Sequence, residues 1–542
     1  MAQGFLALIL HSHLPYVRHP EHEYSLEEKW LFEGLTECYI PLLQTMEAMR
    51  RDKIDFRLTF SLSPTLLSML EDPFLQERYS RYLSRLQELA RLEEERTAGD
   101  PEFHPLARMY RERFDSVARY YHERCGRRLL NAYRSFMEDG YIEIITCAST
   151  HGYLPLLEPQ LESVYAQLAN AVQYHMELFG RRPRGIWLPE CAYSYGIDEL
   201  LSELGVHYFI TATHGVLYAA PRPKYGVYSP ILAPSGVAVF GRDPETSKQV
   251  WSSREGYPGD YDYREFYRDI GYDLPMEYIG PYLHPPGLRS DTGIKYYRIS
   301  GTSLEHKKPY QPERAREKAA IHAGNFMFNR EQQIKYLREL MGRPPIIVSP
   351  YDAELFGHWW FEGPQWLDFL CRKIACDQDC FKMITPAEYL DLGYPLQVSQ
   401  PNASSWGDKG YHEFWLNGSN DWLYRHLHRA AEEMIALATE NPDAEGLLEK
   451  ALAQAARELL LAQSSDWAFI MTSGTMDEYA RGRAYSHLAR FFNLSRQIRD
   501  GSIDEKWLKQ LQETDNLFAN LDYRLYQSME STVPRSVEMA AR

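Results

Sequence analysis

Five short apolar runs, each ending in a polar or ionisable cluster, constrain this chain more than any other feature. Phe5–Leu10 runs into His11-Ser12-His13, and Ile142–Thr146 into Cys147-Ala148-Ser149-Thr150-His151. Gly185–Leu188 leads to Pro189-Glu190-Cys191, Tyr208–Ile210 to Thr211-Ala212-Thr213-His214, and Ile346–Val348 to Ser349-Pro350-Tyr351-Asp352-Ala353-Glu354. Continuous apolar runs of this length suit strands covered on both faces, as in a parallel sheet. Helical patterns separate them, for example Glu158 to Phe179. The alternation predicts an α/β, barrel-like domain with reactive residues at the carboxyl ends of its strands, where such folds place their sites.

At 542 residues the chain exceeds one ordinary domain. Residues from about 73 to 140 are dense in Glu, Arg and Leu at helical spacing and read as a helical insertion. From about 401 onward strand signals cease and amphipathic helices follow, which predicts a C-terminal helical domain over 401–542 beside a catalytic domain over 1–400. The stretch of about 218–272, rich in Tyr, Pro, Gly and Asp, reads as long loops, and such loops often serve as lids.

Charge excludes some functions. Fifty-nine Lys and Arg against 75 Asp and Glu give a net charge of −16, the wrong sign for a surface that displaces counterions from nucleic acid. The apolar run near the start is too short for a membrane span and lacks a basic stretch before it. Seven cysteines form no CxxC pair, which fits reduced thiols and a cytoplasmic protein. A monomer or small homo-oligomer is expected.

Chemistry concentrates at the strand ends. Residues i and i+2 of a strand face one side, so His11 and His13 can share a site. An HxH completed by Asp352 would also suit a metal-dependent hydrolase or deacetylase, and that rival stays open. Glu190 stands near Trp187, and Asp352 precedes Trp359 and Trp360. Two carboxyls from separate strand ends, walled by indoles, suit glycoside chemistry, one attacking or steadying the sugar cation and the other held protonated as the acid. Trp406 and Trp415, in runs rich in Gly and Asn, offer stacking platforms or interface packing. Asp466, in Ser464-Ser465-Asp466-Trp467, offers a hydrogen bond to sugar hydroxyls or a buried ion pair.

Five ordered segments carry a resemblance to glycoside hydrolase family 57, in particular its 1,4-α-glucan branching enzyme group: HSHLPY (His11–Tyr16), GYIEIITCASTHGYLP (Gly140–Pro155), GIWLPECAY (Gly185–Tyr193), SPYDAELFGHWWFEG (Ser349–Gly363) and LAQSSDWAFIM (Leu461–Met471). The resemblance spans nearly the whole chain. It implies an incomplete seven-stranded (β/α) barrel with an inserted helical domain and a C-terminal α-helical domain closing the cleft. It further implies retaining cleavage of an α-1,4-glucan and transfer to a 6-hydroxyl of an acceptor chain, with Glu190 as nucleophile, Asp352 as general acid/base, and neither metal nor cofactor. By the same resemblance His11, His13, His151, Trp360 and Asp466 line the donor site, while Trp30, Trp406 and Trp415 wall the cleft. Arg264 binds sugar hydroxyls, and Tyr225 or Tyr228 rides a loop that favours transfer over hydrolysis. An α-amylase or 4-α-glucanotransferase on the same scaffold is the alternative.

Overall fold

The computed structural model describes residues 2–528 except 253, 254 and 302. Ser253 and Arg254 of the expected lid, and 529–542 of the expected C-terminal domain, lie outside the described residues. Ten strands form one sheet: β1 (Gly4–Ser12), β2 (Leu58–Leu62), β3 (Ile142–Cys147), β4 (Gly185–Trp187), β5 (Tyr208–Thr211), β6 (Ile231–Leu232), β7 (Ala238–Gly241), β8 (Ile346–Asp352), β9 (Phe381–Met383) and β10 (Gln397–Val398). Seven run parallel in the order β8-β1-β2-β3-β4-β5-β7. Strand β6 joins β7 antiparallel, β10 extends β6, and β9 pairs with the first residues of β1. No ladder among the described residues joins β7 to β8. One backbone bond crosses that gap, from Asp243 N to Val348 O at 2.9 Å, so the barrel curls but stays open.

Strand periodicity divides the buried side chains in two. Ala7, Ile9, Ile145, Cys147, Trp187, Tyr208, Ile210, Phe240 and Val348 point inward and fill the barrel. Their neighbours Leu6, Leu8, Leu10, Ile144 and Ile347 face outward and meet helices. That two-sided burial explains why the strands read as unbroken apolar runs. Packing inside is tight enough to specify Gly185, because a Cβ there would fall within the ring of Tyr208.

Helices Pro64–Glu71, Pro73–Arg96, His104–Arg119 and Leu129–Glu138 lie between β2 and β3. Helices Asp421–Glu440, Gly446–Ala462, Ser465–Ser473, Asp477–Arg499 and Glu505–Thr514 follow the last strand. The stretch 218–272 corrects the expectation of long loops, since it holds β6, β7 and the helix Pro244–Trp251. Strands of two and four residues are too short for a periodic signal amid Tyr, Pro and Gly.

Gly185→Ala is expected to lower the thermal midpoint by several degrees, because overpacking a filled core costs about 1–3 kcal/mol. Combining it with Tyr208→Leu should recover part of the loss. A calorimetric midpoint equal to that of the parent would contradict the packing argument.

Candidate active site

A cavity of about 870 Å³ opens over the carboxyl ends of the strands, with His11, His13, His151, Glu190, Arg264, Asp352, Trp406 and Asp466 on its wall. Neighbouring strands explain the convergence. Strand β1 ends beside β8, with His11 in register with Asp352, while the turn after β4 supplies Glu190 and the turn after β3 supplies His151. Asp466 arrives from the helix Ser465–Ser473, tied down where Ser465 N donates to His151 O at 3.1 Å.

Glu190 sits in the left-handed backbone region (φ 61°, ψ 23°), followed by Cys191 at φ 51°. Non-glycine residues rarely adopt this conformation, and it is a form of strain concentrated at functional sites. A second segment holds the turn. Trp406 N donates to Glu190 O at 2.9 Å, and Tyr193 exchanges backbone bonds with Ser404 at 2.9 and 3.1 Å. The same segment places the Trp406 indole N–H 2.6 Å from Glu190 Oε2.

The histidines form a relay. Ser61 Oγ lies 3.0 Å from His11 Nδ1, His11 Nε2 lies 3.1 Å from His151 Nε2, and His151 Nδ1 lies 2.9 Å from Ser465 Oγ. Glu190 Oε1 stands 3.9 Å from His151 Nδ1. Burial and the neighbouring imidazoles hold His11 and His151 well below the usual histidine range, so both are neutral at neutral pH. His13 bonds Ser63 Oγ at 2.9 Å through Nδ1 and Asp466 Oδ2 at 3.0 Å through Nε2. The set His11, His13 and Asp352 of the metal-dependent rival is not gathered among the described residues; the sets that do come within 4.8 Å are His13, His151 and Asp466, and His11, Cys147 and His151.

The family model for glycosyl hydrolase family 57 matches residues 7–400, and that for "1,4-alpha-glucan branching enzyme, C-terminal" matches 426–526. The chain belongs to glycosyl hydrolase family 57. It is 33% identical to a 1,4-alpha-glucan branching enzyme of Thermococcus kodakarensis, over 95% of this chain and 77% of that one. The structure is similar to that of the family 57-type branching enzyme from Pyrococcus horikoshii, at 33% identity and a TM-score of 0.86 over 98% of each chain. It is also similar to the α-amylase AmyC from Thermotoga maritima, at 44% identity and a TM-score of 0.91 over 97% of this chain and 99% of that one.

Within this family 57 chain, five expected wall residues lie elsewhere. Trp360 is buried against Tyr263 and Trp366, and its neighbour Trp359 reaches the cavity instead. Trp415 is 1% exposed, stacked on Tyr153 at 4.6 Å behind the Trp406 segment. Trp30 packs edge-on against Tyr479, away from this wall. Tyr228 lies near Gln333 of the helix Pro312–Met341, and Tyr225 lies near the Arg343 guanidinium. Both flank Val227, which packs on Gly241 at the end of β7, outside the barrel. Side-chain direction in such connecting segments is set by tertiary neighbours, which a motif does not report. Sequence reasoning named Trp359 as an indole near Asp352 and missed Trp251, Phe266 and Glu354 on the same wall. Glu354 stood within the quoted motif two residues beyond Asp352, in the 3-10 turn Ala353–Leu355 that follows β8, where strand periodicity gives no signal.

The carboxyls diverge in acidity. Burial pushes Glu190 up to about 8, Asp352 and Asp466 add to this, and the Trp406 N–H opposes it. Burial pushes Asp352 up to about 7 against Arg242 and His13. Burial and Asp352 push Glu354 up to about 8. Burial also disfavours the charge of Asp466, but His13 and Ser464 outweigh it and hold that group down to about 2. Two interacting groups titrate as a pair, so Glu190 and Asp352 carry one shared proton between about 7 and about 8. The indole N–H lowers the Glu190 value and favours its ionised form, while burial still leaves Glu190 the higher of the two.

A bell-shaped kcat/KM profile centred between those values is the expected outcome. Trp406→Phe removes a donor to the charged form of Glu190, already the higher of the pair, so it raises that carboxyl's pKa, moves the alkaline limb upward by about one pH unit and lowers the maximum. An alkaline limb that stays in place or moves downward would refute the tuning role.

Proposed function

We propose that this chain is a 1,4-α-glucan branching enzyme, cleaving an α-1,4-glucan with retention and passing the chain to a 6-hydroxyl in glycogen-type biosynthesis in the cytoplasm. The observation that carries the reading is the pairing of Glu190 and Asp352 on the wall of one cavity, with a hydrogen-bond donor fixed on Glu190. Glu190 attacks the anomeric carbon as Asp352 protonates the departing oxygen, and the glycosyl-enzyme is then resolved when Asp352 takes a proton from the incoming hydroxyl. His11, His13, His151, Arg264 and Asp466 hold sugar hydroxyls, and Trp406 supplies an apolar face. The catalytic domain spans 1–400 and the helical domain 401–542. The latter contributes Asp466 and Trp406 to the cleft. Donor and acceptor are both α-1,4-glucans. The branching-type C-terminal match over 426–526 and the branching relatives support transfer over hydrolysis.

Hydrolysis on the same site is the second reading. Two observations favour it: the 44% identity to an α-amylase and the position of Tyr225 and Tyr228 outside the cavity wall. In that case water resolves the glycosyl-enzyme.

A time course on linear amylose separates the two. Reducing ends are counted before and after enzymatic debranching. A large debranching increment is expected, and equal counts would assign the site to hydrolysis. Glu190→Gln should reduce either activity by about a thousandfold or more while glucan still binds, as expected for loss of a nucleophile. A rate near that of the parent would refute the assignment.

A further inference from the structure

The cavity has two aromatic walls, each beside a different carboxyl. Trp406 bonds Glu190, and the Trp251 ring lies 6.0 Å from the Trp406 ring. The other wall belongs to Asp352. Seven residues beyond it Trp359 is 54% exposed and lines the cavity together with Phe266. A large indole open to this extent is rare among the tryptophans here, five of which are among the largest fully buried side chains.

One face of Trp359 is covered and the other is free. Phe266 stacks beneath it at 4.4 Å and 25°, and His358 meets its edge at 5.2 Å and 80°. His358 in turn packs edge-on to Phe266 and bonds Glu37 Oε2 through Nδ1 at 2.8 Å. The backbone is fixed as well. Gly357 adopts φ 111°, where a Cβ would run into the carbonyl oxygen of Glu37, and Trp359 N donates to Glu354 O at 3.3 Å. The indole is therefore a rigid, half-open plate carried on the connection that follows β8, whose last residue is the acid/base candidate.

Such a plate suits the apolar face of a pyranose ring, and its place beside Asp352 selects which sugar. Asp352 exchanges protons with the leaving oxygen and then with the incoming hydroxyl, so the ring nearest to it belongs to the leaving or accepting chain. We propose that Trp359, braced by Phe266, is the stacking platform for the acceptor glucan, and that it sets how often the glycosyl-enzyme meets a sugar hydroxyl instead of water. The inference rests on the reading of Glu190 and Asp352 given above.

The test uses α-maltotriosyl fluoride as donor and p-nitrophenyl α-glucoside as acceptor. Glu190 forms the C1–O ester as the C–F bond breaks, and fluoride leaves with the proton of Asp352. An acceptor hydroxyl then forms its bond to C1 as the ester breaks, and its proton passes to Asp352. Water in its place gives free maltotriose. Trp359→Ala is expected to lower the ratio of transfer to hydrolysis about tenfold and raise the acceptor KM, with a smaller loss in fluoride release. Trp359→Phe and Trp359→Tyr should keep the ratio within about threefold of the parent, since a flat ring remains. If the alanine variant does not fold, Trp359→Met fills the space without a ring and carries the same expectation.

An unchanged ratio in the ringless variant, or equal losses in transfer and fluoride release, would overturn the proposal. The assay scores transfer to any hydroxyl, so it reads Trp359 even where the parent forms no α-1,6 linkage. That separate result would overturn branching alone.

Discussion

The site depends on a backbone conformation that Glu190 would not hold unaided. An L-residue at φ 61° crowds its Cβ against the carbonyl, and such residues cost on the order of 1–3 kcal/mol unless the surroundings over-determine them. Here the restraint comes from far along the chain. Residues 404–406 bond both sides of the Glu190 turn, and Ser465 bonds the carbonyl of His151, itself at φ 57°. Both strained turns are therefore clamped by segments beyond residue 400. The barrel supplies the positions of the two side chains, and the later segments supply the direction in which they point.

The same arrangement controls charge. Four carboxyls face one enclosed space, and ionising all of them would be prohibitive without partners. Each has been given a different environment. Asp466 has a histidine and a hydroxyl and stays charged. Glu354 is matched with the Tyr39 hydroxyl and pushed toward neutrality by burial and Asp352. Between these limits Glu190 and Asp352 share a proton, and one indole N–H biases where it resides. A neutral histidine relay behind Glu190 adds polarity without adding charge.

What the sequence disclosed follows from which forces are local. Parallel strands buried on both faces leave unbroken apolar runs, so Phe5–Leu10 and Ile346–Val348 were legible, as were the reactive residues just past them. Strand alternation brought His11 and His13 to one side, and the structure has both on the cavity wall. Legibility ended where the backbone left regular structure. Trp359 and Trp360 are adjacent in a turn, where no periodicity decides which one faces the cavity. Contact of the Gly357 turn with Glu37, more than 300 positions earlier, makes that choice. Trp415 likewise carried the composition of a surface platform, yet Tyr153 and Gly407 draw it inward. Strand β7 was hidden because four residues among tyrosines and prolines give no pattern.

This division has a consequence for how one scaffold serves both hydrolysis and transfer. In the proposed mechanism the first step requires only the carboxyl pair and a donor sugar, and those residues sit at strand ends whose geometry the barrel fixes. The second step is a competition between water and a sugar hydroxyl for the same carbon. Its outcome turns on the residence of an acceptor, hence on apolar surface outside the carboxyl pair. That surface lies on connecting segments such as 357–361 and 404–415, which do not form the strand ladders. Side chains on these segments can change without disturbing the register of β1 with β8 that aligns His11 with Asp352. The partition between water and sugar is thus separable from bond cleavage, except at Trp406. There one residue both steadies the Glu190 turn and lines the cavity, so the cavity wall and the Glu190 carboxyl are coupled through a single side chain.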